Sequence, residues 1–370
     1  MSIARLTVDL LSRKDHSYTI HLGQGASRTL GKVLTECSGI HQVALIADKK
    51  AHALHGEDVE TSVRRLFPKA LLLLVPSGER SKSRRRKAWL EDAMIDSGLG
   101  RDSLVIAFGG GVVGDLAGYV AATYLRGIPF VQIPTTLLAQ VDSSIGGKVA
   151  INTKAGKNLL GAFHQPISVL ADIHFLSTLS RRQFLSGLAE LIKHAIIADA
   201  ELFEQLDSQL DPILHRDPHL FTEALRRSMR VKAQVVQKDE RERGLRKILN
   251  WGHTLGHAVE SLSGYKLLHG ECVALGMVME ARLCRLQGWL SKEDEEKEVG
   301  LLKRAGLPVA LPDWIDPKQV LKATYVDKKV RGGLVQYLVH DRVGGMSVAD
   351  GNYTIAVPEK EVLASIARTS

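Results

Sequence analysis

The sequence predicts an α/β protein in two parts, an N-terminal Rossmann-like domain built on a parallel sheet (residues 1–177) and a mainly α-helical domain (residues 178–370), with the functional site in the cleft between them. Three observations carry this. Short apolar runs alternate with helix-like segments through the first half, a glycine-rich turn follows one of these runs, and the pattern changes to long helical periodicities from about Leu176 onward. Near-continuous apolar runs mark strands buried on both faces, which is the signature of a parallel sheet covered by helices.

The apolar runs are residues 42–47, 70–75, 103–108, 130–133 and 168–171. Between the second and third lies a basic stretch, Arg80 to Lys87, followed by Trp89, Leu90, Met94 and Ile95 at helical spacing. The stretch therefore reads as the start of an amphipathic helix with a solvated basic face. No aromatic residues interleave with its charges, as binding of single-stranded nucleic acid would require. In the second half, residues 202–214 and 220–236 have helical periodicity. Near the C-terminus Pro308, Pro312 and Pro317 mark loops, and residues 332–357 are expected to hold a small strand pair.

Composition bounds the function. A chain of 370 residues exceeds one ordinary core and favours two domains. Hydrophobic and charged contents of 45% and 24% are those of a globular protein, and no apolar run is long enough to span a bilayer. The N-terminus has an early acid, Asp9, and no sustained apolar core, so no secretory signal is read. The three cysteines, Cys37, Cys272 and Cys284, lack metal-ligand spacing and are too few for a disulfide framework, which points to a reducing, cytoplasmic setting. The net charge of +8 favours encounter with anions without specifying a mechanism.

At the third run Gly109, Gly111 and Gly114 fit the turn that lets a pyrophosphate approach N–H groups at a helix N-terminus. The same pattern can serve a plain tight turn, and the ribose-binding acid expected about 20 residues further on is replaced by Pro134 and its neighbours. Gly146-Gly147-Lys148 resembles the end of a P-loop, but Asp142 and Val149 stand where a glycine and a hydroxyl residue are needed, which excludes a nucleoside triphosphatase. Lys148, with Lys157 and Asn158 close behind, suits a small anionic substrate.

His253 and His257 are four positions apart, so on a helix they share one face. Such pairs also occur as ordinary polar residues. Here His269 follows shortly, and Glu190 lies in an amphipathic run. Three nitrogen or oxygen ligands and one open position are what a catalytic zinc requires.

The segments Gly109 to Asp115, Ala122 to Gly127, Pro134 to Lys148, Gly156 to Leu159, Gly187 to Glu190, Asp239 to Arg246, Asn250 to His257 and Leu268 to Glu271 together resemble the 3-dehydroquinate synthase family, in the same order and over most of the chain. The resemblance implies conversion of 3-deoxy-D-arabino-heptulosonate 7-phosphate to 3-dehydroquinate and phosphate, the second step of the shikimate pathway, with NAD⁺ and a divalent metal, zinc or cobalt. It implies Glu190, His253 and His269 as metal ligands. Spacing alone selects His257 as a ligand, whereas the family pattern puts it beside substrate. NAD⁺ would lie along Glu79, Lys82, Gly110, Gly111, Val112, Gly114, Asp115, Thr135, Thr136, Lys148, Lys157 and Thr178. Substrate would meet Asp142, Lys148, Asn158, Lys193, Lys232, Arg246, Asn250, His257 and the segment ending at Lys329. Arg126 would cross the interface of a homodimer. Glu242 belongs to the site either against substrate or as a carboxylate that orients a histidine. His164, His194 and His340 are read as surface or locally hydrogen-bonded residues. Lys50 and Val149 stand where the family has an asparagine-like residue and threonine, which bears on Asp48 as a nucleotide contact.

The chemistry implied is transient oxidation at C5, β-elimination of phosphate, return of the hydride, ring opening and an intramolecular aldol. Lys148, Lys193 and Arg246 would clamp phosphate and carboxylate through charge-assisted hydrogen bonds. Three alternatives remain open: a sister sugar-phosphate cyclase of the valiolone or deoxy-inosose type, a metal- and NAD-dependent polyol dehydrogenase, and a basic nucleic-acid-binding module. Lys232, Asn250 and the 327–329 segment favour the first-named family over its sisters.

Overall fold

The computed structural model describes residues 17–264, 266–325, 330–331, 334–349 and 351–367. The first half is a six-stranded parallel sheet in the order β1-β8-β5-β4-β2-β3, with β1 Thr19–Gly23, β2 Gln42–Asp48, β3 Leu71–Val75, β4 Ser103–Gly109, β5 Phe130–Pro134 and β8 Ser168–Asp172. Alternate side chains separate onto two faces. Ala44, Ile46, Val105 and Ala107 pack with α3 (Arg84–Asp96) and α4 (Gly111–Thr123), while Val43, Leu45, Leu104 and Ile106 pack with α1 (Leu30–Glu36) and α2 (Lys49–Leu66). All five apolar runs are strands.

Two features were not legible as strands. β1 lies at the sheet edge and is only half-buried, so its sequence has no continuous apolar run. β6 (Lys148–Thr153) and β7 (Gly156–Phe163) form an antiparallel hairpin outside the main sheet. Much of β7 carries partly exposed side chains, so its pattern follows the site more than a core.

The second half is helical: α5 (Arg181–Ala198), α6 (Ala200–Ser208), α7 (Leu210–Leu214), α8 (Pro218–Lys238), α9 (His253–Leu262), α10 (His269–Leu286), α11 (Lys292–Arg304), α12 (Pro317–Thr324) and α13 (Glu359–Ile366). The periodicity over 202–214 is two helices, broken at Gln209. Pro317 opens a helix instead of marking a loop. It follows Asp316, which accepts from the Lys318 N–H, and a first helical position needs no N–H of its own. The expected strand pair is present as β10 (Leu334–Leu338) against β11 (Thr354–Ala356), with β9 (Val330–Arg331) on the other side of β10. Among the described residues no helix is long and apolar enough to cross a membrane.

Leu137, Val141 and Ile145, just after β5, join Leu188, Ile192, Trp251 and Met277 in one core, so the sheet and the helices share buried surface. Helices α9 and α10 approach closely because glycines face each other. A Cβ on Gly276 would overlap the Gly252 carbonyl, and one on Gly256 would lie 2.8 Å from the Cys272 carbonyl. This contact seats the start of α9 against the middle of α10, and each helix begins with a histidine. Gly276→Ala is therefore expected to destabilise the fold by about 1–3 kcal/mol through overpacking, read as a lowered urea midpoint. An unchanged midpoint would show that the helices can separate freely.

Candidate active site

The glycine turn leads from β4 into α4, and the chain packs tightly around it. A Cβ on Gly109 would lie 2.9 Å from Asp48 Cβ, on Gly111 2.7 Å from Ser143 Oγ, and on Gly114 2.7 Å from Gln132 Oε1. No side chain caps α4 at Gly110, which leaves its first N–H groups directed outward at the carboxyl ends of the strands, where open α/β sheets bind ligands. An acid does stand at the neighbouring strand end, upstream of the turn. Asp48 ends β2, the parallel neighbour of β4, and accepts from the N–H groups of Lys50 and Ala51 and from Ser77 Oγ at 2.7 Å. Sheet order, not chain order, puts it there.

Thr135 and Thr136 follow β5, where the Thr135 N–H donates to the Gly109 carbonyl and Thr136 lies against Gly110. Val112 lies in the first turn of α4. Lys82 is buried, pairs with Asp115 and donates to Asn158 Oδ1 at 2.5 Å, while Glu79 accepts from Asn152 Nδ2 at 2.7 Å. Asn158 takes a left-handed backbone, φ 54°, which turns its amide towards Lys82. Burial raises the Asp115 carboxyl despite the Lys82 ammonium. Thr178 is hydrogen-bonded to His55 Nε2 at 2.7 Å, in a cluster with His174 and Phe175.

On the helical side Glu190, His253 and His269 converge from three helices. Glu190 Oε1 lies 3.5 Å from His253 Nε2 and 3.4 Å from His269 Nε2, and Glu190 Oε2 pairs with Lys193. Glu190 is fully buried, and neither of its oxygens accepts a hydrogen bond of ordinary geometry. His257 lies one turn after His253, with ring centroids 5.1 Å apart, and one ring nitrogen from each of His253, His257 and His269 falls within 4.8 Å of the others. Both the spacing-based ligand choice and the family-based one thus have their atoms in one small volume.

The electrostatics suit a cation. Burial opposes ionisation of Glu190, yet Lys193 and the imidazoles hold its carboxyl well below the usual range. Burial lowers His253 well below an ordinary histidine, with Lys193 adding to the effect. His269 goes the other way. Although burial works to lower it, the neighbouring Glu190 and Glu260 carboxylates raise it to about 10. A proton there occupies a position between two carboxylates, and buried orphan lone pairs beside imidazoles are a donor set of the kind zinc takes. The residues present fit a divalent metal.

Glu242 does not take the histidine-orienting role. It accepts from Lys148 and from Asn250 Nδ2 at 2.6 Å, in a left-handed backbone with φ 58°. The carboxylate beside His269 is Glu260, 3.6 Å from Nδ1, which also accepts from Lys157 at 3.0 Å. Glu260 escaped the sequence reading, although its place seven residues after His253 sets it on the same helix face. Lys193 and Arg246 are both buried, not solvated: Lys193 donates to the Leu249 carbonyl at 2.7 Å, and Arg246 to the carbonyls of Gly146 at 3.0 Å and Glu240 at 2.5 Å. Lys232 pairs with Asp142, and its ammonium is lowered first by burial. His194 and His340 are not surface residues. Both are fully buried, His194 on Ser228 Oγ at 2.8 Å and His340 between Gly345 O and Glu298. His164 bonds the Ile128 carbonyl at 2.9 Å.

Arg126 stands apart from these groups, exposed in a turn where Leu125, Arg126 and Gly127 all have positive φ. Lys329 lies outside the described residues.

Models of the 3-dehydroquinate synthase N-terminal and C-terminal regions match residues 72–186 and 187–330. A 3-dehydroquinate synthase of Caldanaerobacter subterraneus subsp. tengcongensis is 43% identical over 355 residues, 96% of this chain and 98% of the relative. The chain belongs to the 3-dehydroquinate synthase family. A second member, from Pelobacter propionicus, is 44% identical and covers 93% of this chain and 95% of its own length. Among solved structures, 2-deoxy-scyllo-inosose synthase complexed with carbaglucose-6-phosphate, NAD⁺ and Co²⁺ superposes with a TM-score of 0.84 at 25% identity, covering 94% and 95% of the two chains. The 2-epi-5-epi-valiolone synthase of Streptomyces hygroscopicus, with NAD⁺ and Zn²⁺ bound, gives 0.84 at 27% over 97% and 98%. A glycerol dehydrogenase of Schizosaccharomyces pombe shares the fold, with a TM-score of 0.65 at 14% identity over 95% and 90%.

Burial, reinforced by Lys193, depresses His194 to about 3 from its ordinary value. Between the two values the unfolded chain binds a proton that the folded one refuses, so His194 favours folding above about pH 6.5, and that contribution is lost as pH falls toward 3. Metal-free protein should lose stability between pH 7 and pH 5 at a slope of up to about 1.4 kcal/mol per pH unit from this residue, and His194→Asn should flatten that slope. Equal slopes in urea titrations of the two proteins would contradict it.

Proposed function

We propose that this enzyme converts 3-deoxy-D-arabino-heptulosonate 7-phosphate to 3-dehydroquinate and phosphate, as a cytoplasmic homodimer of the shikimate pathway, with Glu190, His253 and His269 as the ligands of a divalent metal. The observation that carries this reading is the meeting of one buried, hydrogen-bond-starved carboxylate with two imidazoles at 3.4 and 3.5 Å, drawn from three helices. Solved relatives hold NAD⁺ with Co²⁺ or Zn²⁺, and the donor set here suits either ion. When bound, NAD⁺ supplies a reversible hydride acceptor, and the metal polarises a substrate hydroxyl.

The chain's own residues divide the remaining work. The glycine turn, Thr135, Thr136 and Asp48 would hold a dinucleotide's phosphates and a ribose, with Glu79, Lys82, Asp115, Lys157 and Thr178 along its length; the tight packing around the turn and the Lys82–Asn158 and His55–Thr178 contacts support this. Lys148, Lys193 and Arg246, with Lys232 and Asn250, form a cationic and amide-bearing wall for the substrate's phosphate and carboxylate. Asp142, paired with Lys232, and His257, beside His253, would meet the substrate as well. Asn158 presents an amide whose oxygen Lys82 already engages, which leaves its N–H₂ for a phosphate oxygen. Arg126 would reach the partner subunit's site, which suits its exposed, left-handed turn. The C6 proton passes to the substrate's own phosphate, so the residues need only hold that phosphate in line.

Supplied with heptulosonate phosphate, zinc and catalytic NAD⁺, the protein should release phosphate stoichiometrically without net NADH. Accumulating NADH would indicate a polyol dehydrogenase, and absent phosphate release would defeat the reading. His269→Ala should abolish stoichiometric zinc while circular dichroism stays unchanged; zinc retained at one equivalent would show a different ligand set.

A further inference from the structure

Helix α9 begins at His253, and its N-cap, Gly252, has no side chain with which to satisfy the first N–H groups. A helix N-terminus without a cap leaves donors unpaired and concentrates partial positive charge, an unfavourable neighbour for a cation held in the first turn. A carboxylate from the next helix fills the gap. Glu280, one turn after Gly276 on α10 and 1% exposed, accepts from the Gly252 N–H at 2.9 Å through Oε2, and from the N–H groups of Thr254 at 3.1 Å and Leu255 at 3.3 Å through Oε1. The His253 ring is in turn tied to the same backbone, since its Nδ1 bonds the carbonyl of the fully buried Trp251 at 3.1 Å. Ring orientation therefore follows the backbone of 251–255, the stretch that Glu280 grips.

We propose that Glu280 is a positioning residue for the metal centre. It fixes the His253 imidazole through the backbone of 252–255, and its negative charge offsets the positive helix end beneath the cation. The glycine contact at Gly276 supports this by holding α10 close enough for the carboxylate to reach. The proposal rests on the reading that His253 ligates the metal.

Zinc affinity by chelator competition and the visible spectrum of the cobalt-loaded protein are to be measured for Glu280→Gln, Glu280→Asp and His253→Ala, with circular dichroism of each metal-free form. Glu280→Gln, which keeps the size but loses the charge and one acceptor, should weaken zinc binding about 10–100-fold and alter the cobalt spectrum, while Glu280→Asp should recover part of the affinity. A cap that serves folding alone lowers the thermal midpoint but leaves zinc affinity and the cobalt spectrum of the folded protein at wild-type values, and that result overturns the proposal. Should Glu280→Gln fail to fold, Glu280→Asp decides on the same two readouts, with wild-type values overturning the proposal. Undiminished zinc affinity in His253→Ala overturns the ligand reading and the proposal with it. Loss in His253→Ala beside wild-type behaviour in Glu280→Gln overturns the proposal alone.

Discussion

The molecule is arranged around one expensive placement, the fully buried Glu190 carboxylate. Desolvating a charge costs several kcal/mol unless opposite charge and donors surround it. The Lys193 ammonium, one turn along α5, supplies part of the compensation, and the imidazoles of His253 and His269 stand on the other side. Those two rings can reach it only if the first turns of α9 and α10 both pass beside the buried middle of α5. The glycines at 252, 256 and 276 let α9 and α10 pack closely enough there, the start of α9 against the middle of α10. A Cβ on Gly270 would likewise overlap the Ser186 carbonyl, so α10 also lies hard against α5. The small residues of this region are thus the steric counterpart of an electrostatic requirement.

The same logic extends across the cleft. Lys148 and Lys157 on the β6–β7 hairpin pair with Glu242 and Glu260 of the helical half, and Asp142 after β5 pairs with Lys232 on α8. The lysines that would face a phosphate or carboxylate, Lys148, Lys193 and Lys232, each already have a carboxylate partner from the protein, while Arg246 is held by the backbone carbonyls of Gly146 and Glu240. Binding an anionic substrate then exchanges one partner for another, and no ammonium has to be stripped of water anew. Glu242 fits this role, since it occupies both Lys148 and Asn250 from a left-handed backbone that a side chain adopts only where its surroundings impose it.

The sheet was legible because its inner strands are buried on both faces, so period and composition agree. β1 was not, because in Thr19–Gly23 Ile20 and Leu22 alternate with Thr19, His21 and Gly23 and make no continuous apolar run. For the site, the histidine pair and the glycine turn were visible as local spacings. Glu190 was a candidate donor, but its place in the ligand set came from the resemblance, since its sequence neighbours say nothing about helices that begin more than sixty residues later. Asp48, Glu260 and Glu280 act through contacts set by sheet order and helix packing. Of the three only Glu260 left a trace in local spacing, on the same helix face as His253, where an acid facing a histidine looks like any solvated charge.

Fold and chemistry separate cleanly in this molecule. The overall architecture is shared with a glycerol dehydrogenase at 14% identity, so the fold by itself does not determine the reaction. What a cyclisation with loss of phosphate needs in addition is a set of cations and amides that grips both ends of a polyanion through several steps. Of the groups proposed for this task, Lys148 and Asn158 lie on the β6–β7 hairpin and Arg246 and Asn250 on the 3₁₀ segment Leu245–Asn250, while Lys193 and Lys232 lie on the regular helices α5 and α8. Irregular segments suit this task because they present consecutive side chains in directions that a regular helix or strand cannot, while the rigid sheet and helices on either side fix their ends.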